Sequence, residues 1–358
     1  MQISVFGRDA LSLCAATVLL AGCSSGDSQL APSAAMRQGS VTRSAPQLNA
    51  PSLRAPAGTS LYVANPGLNT VTVYATGSKS VSRTISEGLN YPWAFAFDSA
   101  GNLYVANCGA PCGGTGDGTV TVYGAGSSSL LRTISQGVNG PDSLAFGGSG
   151  SLFVANGHNS TVTVYAAGKT KPLRTISEGV SGPKTVALDA SSNLYVANFG
   201  NSTATVYAPG SKSVLRTISQ GVTGPVALAL DGSNHPYVVN QGNNTVTVYA
   251  AGKTKLLRTI SDGVAEARAL AFDGSGNLYV ANSVVSTVTV YAPGGTAVLR
   301  TISQGVDFPD GLAIGSSGAL SVTNEPNSTV TVYAPGKTRL LRTISEGMKF
   351  PAAIAIGP

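Results

Sequence analysis

The sequence predicts an all-β chain: a seven-bladed β-propeller of four-stranded antiparallel blades, closed by pairing the C-terminal strand with the first repeat. One statement recurs seven times. LYVAN starts at 61 and 103, LFVAN at 152, LYVAN at 194, PYVVN at 236, LYVAN at 278 and LSVTN at 320, so the spacings are 42, 49, 42, 42, 42 and 42. Each copy holds four short strand-like runs, typified by ALAFD, LYVAN, TVTVY and LRTIS; a period near 42 built from such runs marks a propeller. The frame supplies closure. Repeats open on a second strand and the chain ends on PAAIAIGP, a first strand without followers. Residues 351–357 should therefore lie beside 61–65 and replace an open ring edge with backbone hydrogen bonds.

Composition agrees. The 358 residues include 44 Gly and are only 11% charged, too apolar for a disordered chain and too rich in Gly, Thr and Val for a helical one. Net charge is +6, yet residues 61–358 hold 18 Lys/Arg against 14 Asp/Glu with no concentrated basic stripe, so no nucleic-acid partner is expected.

Residues 1–22 read as an address. Arg8 precedes the apolar run ALSLCAATVLLAG, which ends in LAGC at 20–23; a run this short followed by small residues is a cleaved signal, not a span. LAGC resembles the bacterial lipoprotein lipobox. That resemblance implies lipid on Cys23, anchorage in the bacterial cell envelope, and a domain facing the periplasm from the outer membrane or displayed on the cell surface. Residues 23–60 are rich in Ser, Ala, Pro and Gly without periodicity and are expected to form a flexible tether reaching ~30–35 Å. The mature chain keeps only Cys108 and Cys112, in CGAPC. In oxidising surroundings these are expected to close a small disulfide loop, and a metal would need further ligands.

Residues 61–358 form the propeller, expected to be monomeric. TVTVY alternates with period two and is dominated by β-branched residues, while DGSGN and APGKTK carry turn chemistry. The blades are I (92–136), II (141–178), III (183–220), IV (225–262), V (267–304), VI (309–346) and VII (351–358 with 61–86). The pattern LYVAN…TVTVYA…LRTIS.GV.GP.ALAFD.SGN resembles the YVTN/NHL group of seven-bladed propellers across 61–358. This resemblance implies a group that ranges from exported binding proteins and surface-layer components to gluconolactonase-like lactonases and streptogramin lyases.

Seven internal copies allow comparison. Positions shared by all blades answer to the blade. The Arg of each LRTIS-type strand is expected to protect an exposed edge, and the Asn closing each second strand to cap a turn. Variation concentrates in the loops joining strand 4 to strand 1, which share a face with the loops joining strand 2 to strand 3. Before the loop's Pro stand Tyr91, Gly140, Gly182, Gly224, Glu266, Phe308 and Phe350; after it stand Trp93, Asp142, Lys184, Val226, Arg268, Asp310 and Ala352. Ring closure makes Phe308, Phe350 and Tyr91 neighbours, facing an arc of three Gly. Trp93, the only tryptophan, either anchors an off-centre binding site with these rings or fills a gap between blades. Asp142 neighbours Lys184 and Arg268 neighbours Asp310, so rim ion pairs are expected.

Enzyme chemistry finds thin support. His158 and His235 are the only histidines and fall on opposite faces; no GxSxG elbow is present. A metal centre could draw only on Asp142, Asp310 and Asn107. The expectation is a non-enzymatic propeller without cofactor, binding a small molecule, glycan or protein at its mouth. The alternative is a metal-dependent lactonase or lyase of the gluconolactonase or streptogramin-lyase type, using Ca²⁺ or Zn²⁺.

Overall fold

The computed structural model describes residues 60–109 and 118–358. They form seven antiparallel four-stranded sheets. The first strands of neighbouring blades contact one another around the ring. Residues 1–22, expected to be a signal segment, and nearly all of 23–60, expected to be a tether, lie outside the described residues; Ser60 is the first residue of a strand, Ser60–Asn65.

Closure occurs where the repeat frame predicts it. Ile354–Gly357 pairs antiparallel with Ser60–Asn65, from Val63↔Ile354 to Ser60↔Gly357. Ala64 N–H also donates to the Ala353 carbonyl at 2.9 Å, and Ala352 N–H to the Ala64 carbonyl at 3.0 Å. Blade VII is thus assembled from both ends of the domain.

Blades stack face to face, so strands 1 to 3 are buried on both faces while the outermost strand alternates. The core consists of seams, each shared by two adjacent blades. One joins Ala94, Tyr104 and Val120 of blade I to Leu144, Leu152 and Val154 of blade II. The Tyr ending each TVTVY strand adds a staple: Tyr74, Tyr123, Tyr165, Tyr207, Tyr249, Tyr291 and Tyr333 each donate to a backbone carbonyl in the turn leaving the previous blade. Burial pushes these phenols up, Tyr165 to about 12.

One sequence expectation needs adjustment. The outer-strand Arg do not simply fringe an edge. Arg83, Arg132, Arg174, Arg258 and Arg300 lie over the strand-2 ring of their own blade, 5.5 to 5.9 Å from its centroid, because cross-strand register puts both on one face. Three short 3-10 turns, Pro66–Leu68, Phe199–Asn201 and Gln241–Asn243, also interrupt the otherwise all-β described chain.

Candidate functional site

The seven Asn that close the second strands build the mouth. Each is fully or almost fully buried. Asn198 is representative: its Nδ2 donates to the Val196 carbonyl and to the Thr203 and Thr205 hydroxyls, while its Oδ1 accepts from Ser181 N–H at 3.1 Å. Both ends of the amide are used, and the strand 4→1 loop is pinned against strand 2. Asn107 does the same with Asn90, Val105, Thr119 and Thr121.

This pinning forces one backbone shape on seven different residues. Tyr91, Gly140, Gly182, Gly224, Glu266, Phe308 and Phe350 all have positive φ, between 42 and 55°. Their N–H groups are captured by the preceding blade: Tyr91 by Asn69, Gly182 by Ser160, Gly224 by Ser202, Glu266 by Asn244, Phe308 by Ser286 and Phe350 by Ser328. Glycine adopts this conformation freely, whereas a side chain there costs roughly 1–2 kcal/mol. Blades II to IV use Gly; blades V, VI, VII and I, contiguous around the ring, do not. One copy lacks the capping side chain. Gly118 stands in that slot, where a Cβ would lie 2.2 Å from Pro141 Cδ.

The next residue after the proline position is a β-bulge. In blade I, Pro92 pairs with Asn107 and Ala94 with Ala106, leaving Trp93 outside the register. The same slip skips Asp142, Lys184, Val226 and Arg268, and blade VI skips both Asp310 and Gly311. Bulges re-aim side chains. Here the bulged residues of neighbouring blades meet each other: Lys184 Nζ lies 3.4 Å from Asp142 Oδ2, and Arg268 Nη1 lies 2.8 Å from Asp310 Oδ1. Ala352 occupies the blade VII position and packs with Trp93 and Cys108.

These pairs are not the rim contacts that neighbouring charges suggested. Asp142 and Asp310 are each 1% exposed and Arg268 is 2% exposed. Blade VI surrounds Arg268: Asp310 on Nη1, Glu325 Oε2 at 3.9 Å, and the Phe308 ring centroid 4.5 Å from the guanidinium carbon. Burial lifts the Asp310 carboxyl, and Arg268 pulls against it. Burial and then Asp310 lift Glu325, again opposed by Arg268. Arg268 Nε and Nη2 have no hydrogen-bond partner, and neither does Trp93 Nε1. Buried donors left unpaired in this way each carry a penalty of about 1–3 kcal/mol.

The aromatic residues make three separate contacts. Tyr91 stacks on Trp93 at 6.3 Å and 15°. Phe308 lies over Arg268, and Phe350 lies against the blade VII loop, where a Cβ on Gly67 would come within 2.8 Å of its ring. All three rings are half-buried. Cys108 is disulfide-bonded and packs beside Trp93; Cys112, its expected partner, lies outside the described residues, as does Cys23. Sequence comparison missed Glu325 and Phe199, the latter 5.8 Å from Lys184 Nζ. Both sit in strand 2→3 loops, where EPNS and FGNS already departed from their sister copies.

The candidate metal donors do not fit a metal. Asn107 has both amide ends committed, Asp310 is salt-bridged to Arg268, and Asp142, four blades away from Asp310 in chain order, faces Lys184. Among the described residues, no group of three or more His, Cys, Asp or Glu comes together to hold an ion. His235 pairs with Asp231 at 3.0 Å in a strand 1→2 turn; His158 lies against Gly140, whose Cβ would fall 2.3 Å from the imidazole.

Comparison with known proteins extends the fold but not the family. No family model matches the chain, and no curated protein matches it either. Solved structures do. A protein from Lactobacillus plantarum is similar at 18% identity and TM-score 0.69, covering 83% of this chain and 98% of its own. A candidate 6-phosphogluconolactonase from Bacteroides fragilis is similar at 15% identity and TM-score 0.68, covering 83% and 97%. The β-propeller domain of Cps50 (Swd1) from Myceliophteria thermophila is similar at 12% identity and TM-score 0.65, covering 77% and 92%. Identities this low carry the propeller architecture alone.

Proposed function

We propose that this chain is an exported, lipid-anchored binding module of the YVTN/NHL type. Its ligand docks at the mouth formed by the strand 4→1 and 2→3 loops. One observation carries this reading: four contiguous blades keep Tyr91, Glu266, Phe308 and Phe350 in a left-handed conformation that three sister blades satisfy with Gly. Side chains retained against strain point to a role beyond folding. The unpartnered donors of Trp93 and Arg268 support the same location.

The test is a thermal-shift screen of the full chain against a mixed library of glycans, metabolites and peptides. At least one compound should raise Tm for the wild type and not for Phe308→Ala/Phe350→Ala. A library that stabilises neither, or both equally, sinks the reading. Anchorage is tested separately: fatty-acid labelling of the expressed protein should vanish in Cys23→Ser. The metal-dependent lactonase or lyase alternative draws on fold likeness alone, and its donor set is committed elsewhere.

A further inference from the structure

We infer that the mouth's ligand is a neutral saccharide that stacks on the aromatic arc and draws on the buried, unpaired donors of Trp93 and Arg268. This inference rests on the binding reading above and names its ligand class.

The first argument is charge. Both cations among the bulged residues already face a carboxylate, Arg268 on Asp310 and Lys184 on Asp142. Each cation is thus already neutralised, so an anionic ligand would bring an uncompensated charge beside Asp310 and Glu325 at a cost of several kcal/mol. A cationic ligand would meet Arg268. A neutral ligand disturbs neither pair.

Hydrogen-bond capacity narrows it further. Trp93 Nε1 and Arg268 Nε and Nη2 are donors without partners. Glu325, 3.9 Å from Arg268 and beyond hydrogen-bond reach of it, offers carboxylate acceptors. A group serving both sides must accept and donate, which a hydroxyl does and an ether, ester or hydrocarbon does not. Several hydroxyls at short spacing on one rigid frame describe a sugar.

Shape supplies the rest. Tyr91, Phe308 and Phe350 are half-buried rings on adjoining blades. The C–H face of a pyranose stacks on such rings, and Tyr and Trp contribute a large contact area at low conformational-entropy loss. Ala352 holds the corresponding blade VII position, between Trp93 and Asp310 in ring order, and packs against Trp93 and Cys108.

The chain carries its own reporter, because Trp93 is its only tryptophan. The full chain is titrated with neutral hexasaccharides (cello-, xylo-, manno-, malto- and chitohexaose) and with acidic ones (hexagalacturonate and a sulfated hexasaccharide), following Trp93 emission. A saturable spectral change with at least one neutral sugar is expected. Arg268→Lys keeps the charge but loses the free guanidinium nitrogens, and should weaken that sugar about tenfold. Trp93→Phe keeps one aromatic ring but loses the donor and part of the ring face; followed by calorimetry, it should weaken binding about five- to tenfold. A panel in which no neutral sugar binds overturns the inference, as does unchanged affinity in Trp93→Phe. If only acidic sugars or library peptides bind at the mouth, the ligand class is wrong and the binding reading stands. If no compound of any class binds, both fall.

Discussion

The mouth has two halves built on one backbone. Blades II to IV present Gly140, Gly182 and Gly224; blades V, VI, VII and I present Glu266, Phe308, Phe350 and Tyr91, with φ nearly the same throughout. The Asn pins and Asn/Ser caps are likewise common to both halves. The difference therefore lies in what the side chains do and not in what the frame requires. A frame that accepts glycine at no strain would not need four bulky residues for its own stability.

Each half also holds one ion pair between bulged residues, Asp142–Lys184 in one and Arg268–Asp310 in the other, and their loss should differ most. Arg268→Met strands a fully buried Asp310 and is expected to lower the unfolding free energy by about 3–5 kcal/mol in urea titrations. Lys184→Met should cost about 1–2 kcal/mol, since its side chain is 12% exposed and sits 3.4 Å from its partner. Equal losses would show that burial does not separate the halves.

Within the glycine half, Gly140→Ala should destabilise by about 2–3 kcal/mol, because the new Cβ adds a clash with His158 at 2.3 Å to the backbone strain. Gly182→Ala meets nothing closer than 3.4 Å and should cost only the conformational ~1 kcal/mol. Thermal melts of the two variants give the comparison.

A smaller effect comes from pH. The Glu325 carboxyl is lifted in the folded state by burial and by Asp310. A raised carboxyl holds its proton better folded than unfolded, so it favours folding at low pH and loses that contribution as pH rises through the raised value. Glu325→Gln should therefore gain Tm relative to wild type between about pH 5 and about pH 8, and the gain should vanish near pH 4. Asp273 acts in the opposite sense. Burial alone would raise it, but hydrogen bonds from Asn277, Ser275 and Tyr279 hold it below the usual range, so its stabilisation is lost only in stronger acid.

Fold and closure were legible because period and frame are properties of the string: LYVAN returns on schedule and PAAIAIGP lacks followers. The lopsided arc was legible too, since ring order follows from closure. The bulge was not. A residue after proline looks like ordinary strand, so Asp142–Lys184 and Arg268–Asp310 read as rim charges when they are buried between blades. The left-handed conformation had a visible trace, Gly before Pro in three copies. That trace speaks of backbone only when glycine's freedom is weighed, and blade V keeps the conformation with Ala267 in place of Pro. Glu325 and Phe199 stayed hidden because only the fold shows which strand 2→3 loop leans on which bulged residue.

The central claim is that Phe308 and Phe350 are kept for a ligand and not for packing. Urea unfolding of Phe308→Gly/Phe350→Gly measures it directly. Relief of strain at two left-handed positions should offset the lost ring contacts and leave the unfolding free energy within about 2 kcal/mol of wild type. A loss of about 6–10 kcal/mol, as for two core phenylalanines, would make the arc a structural filling and contradict the account.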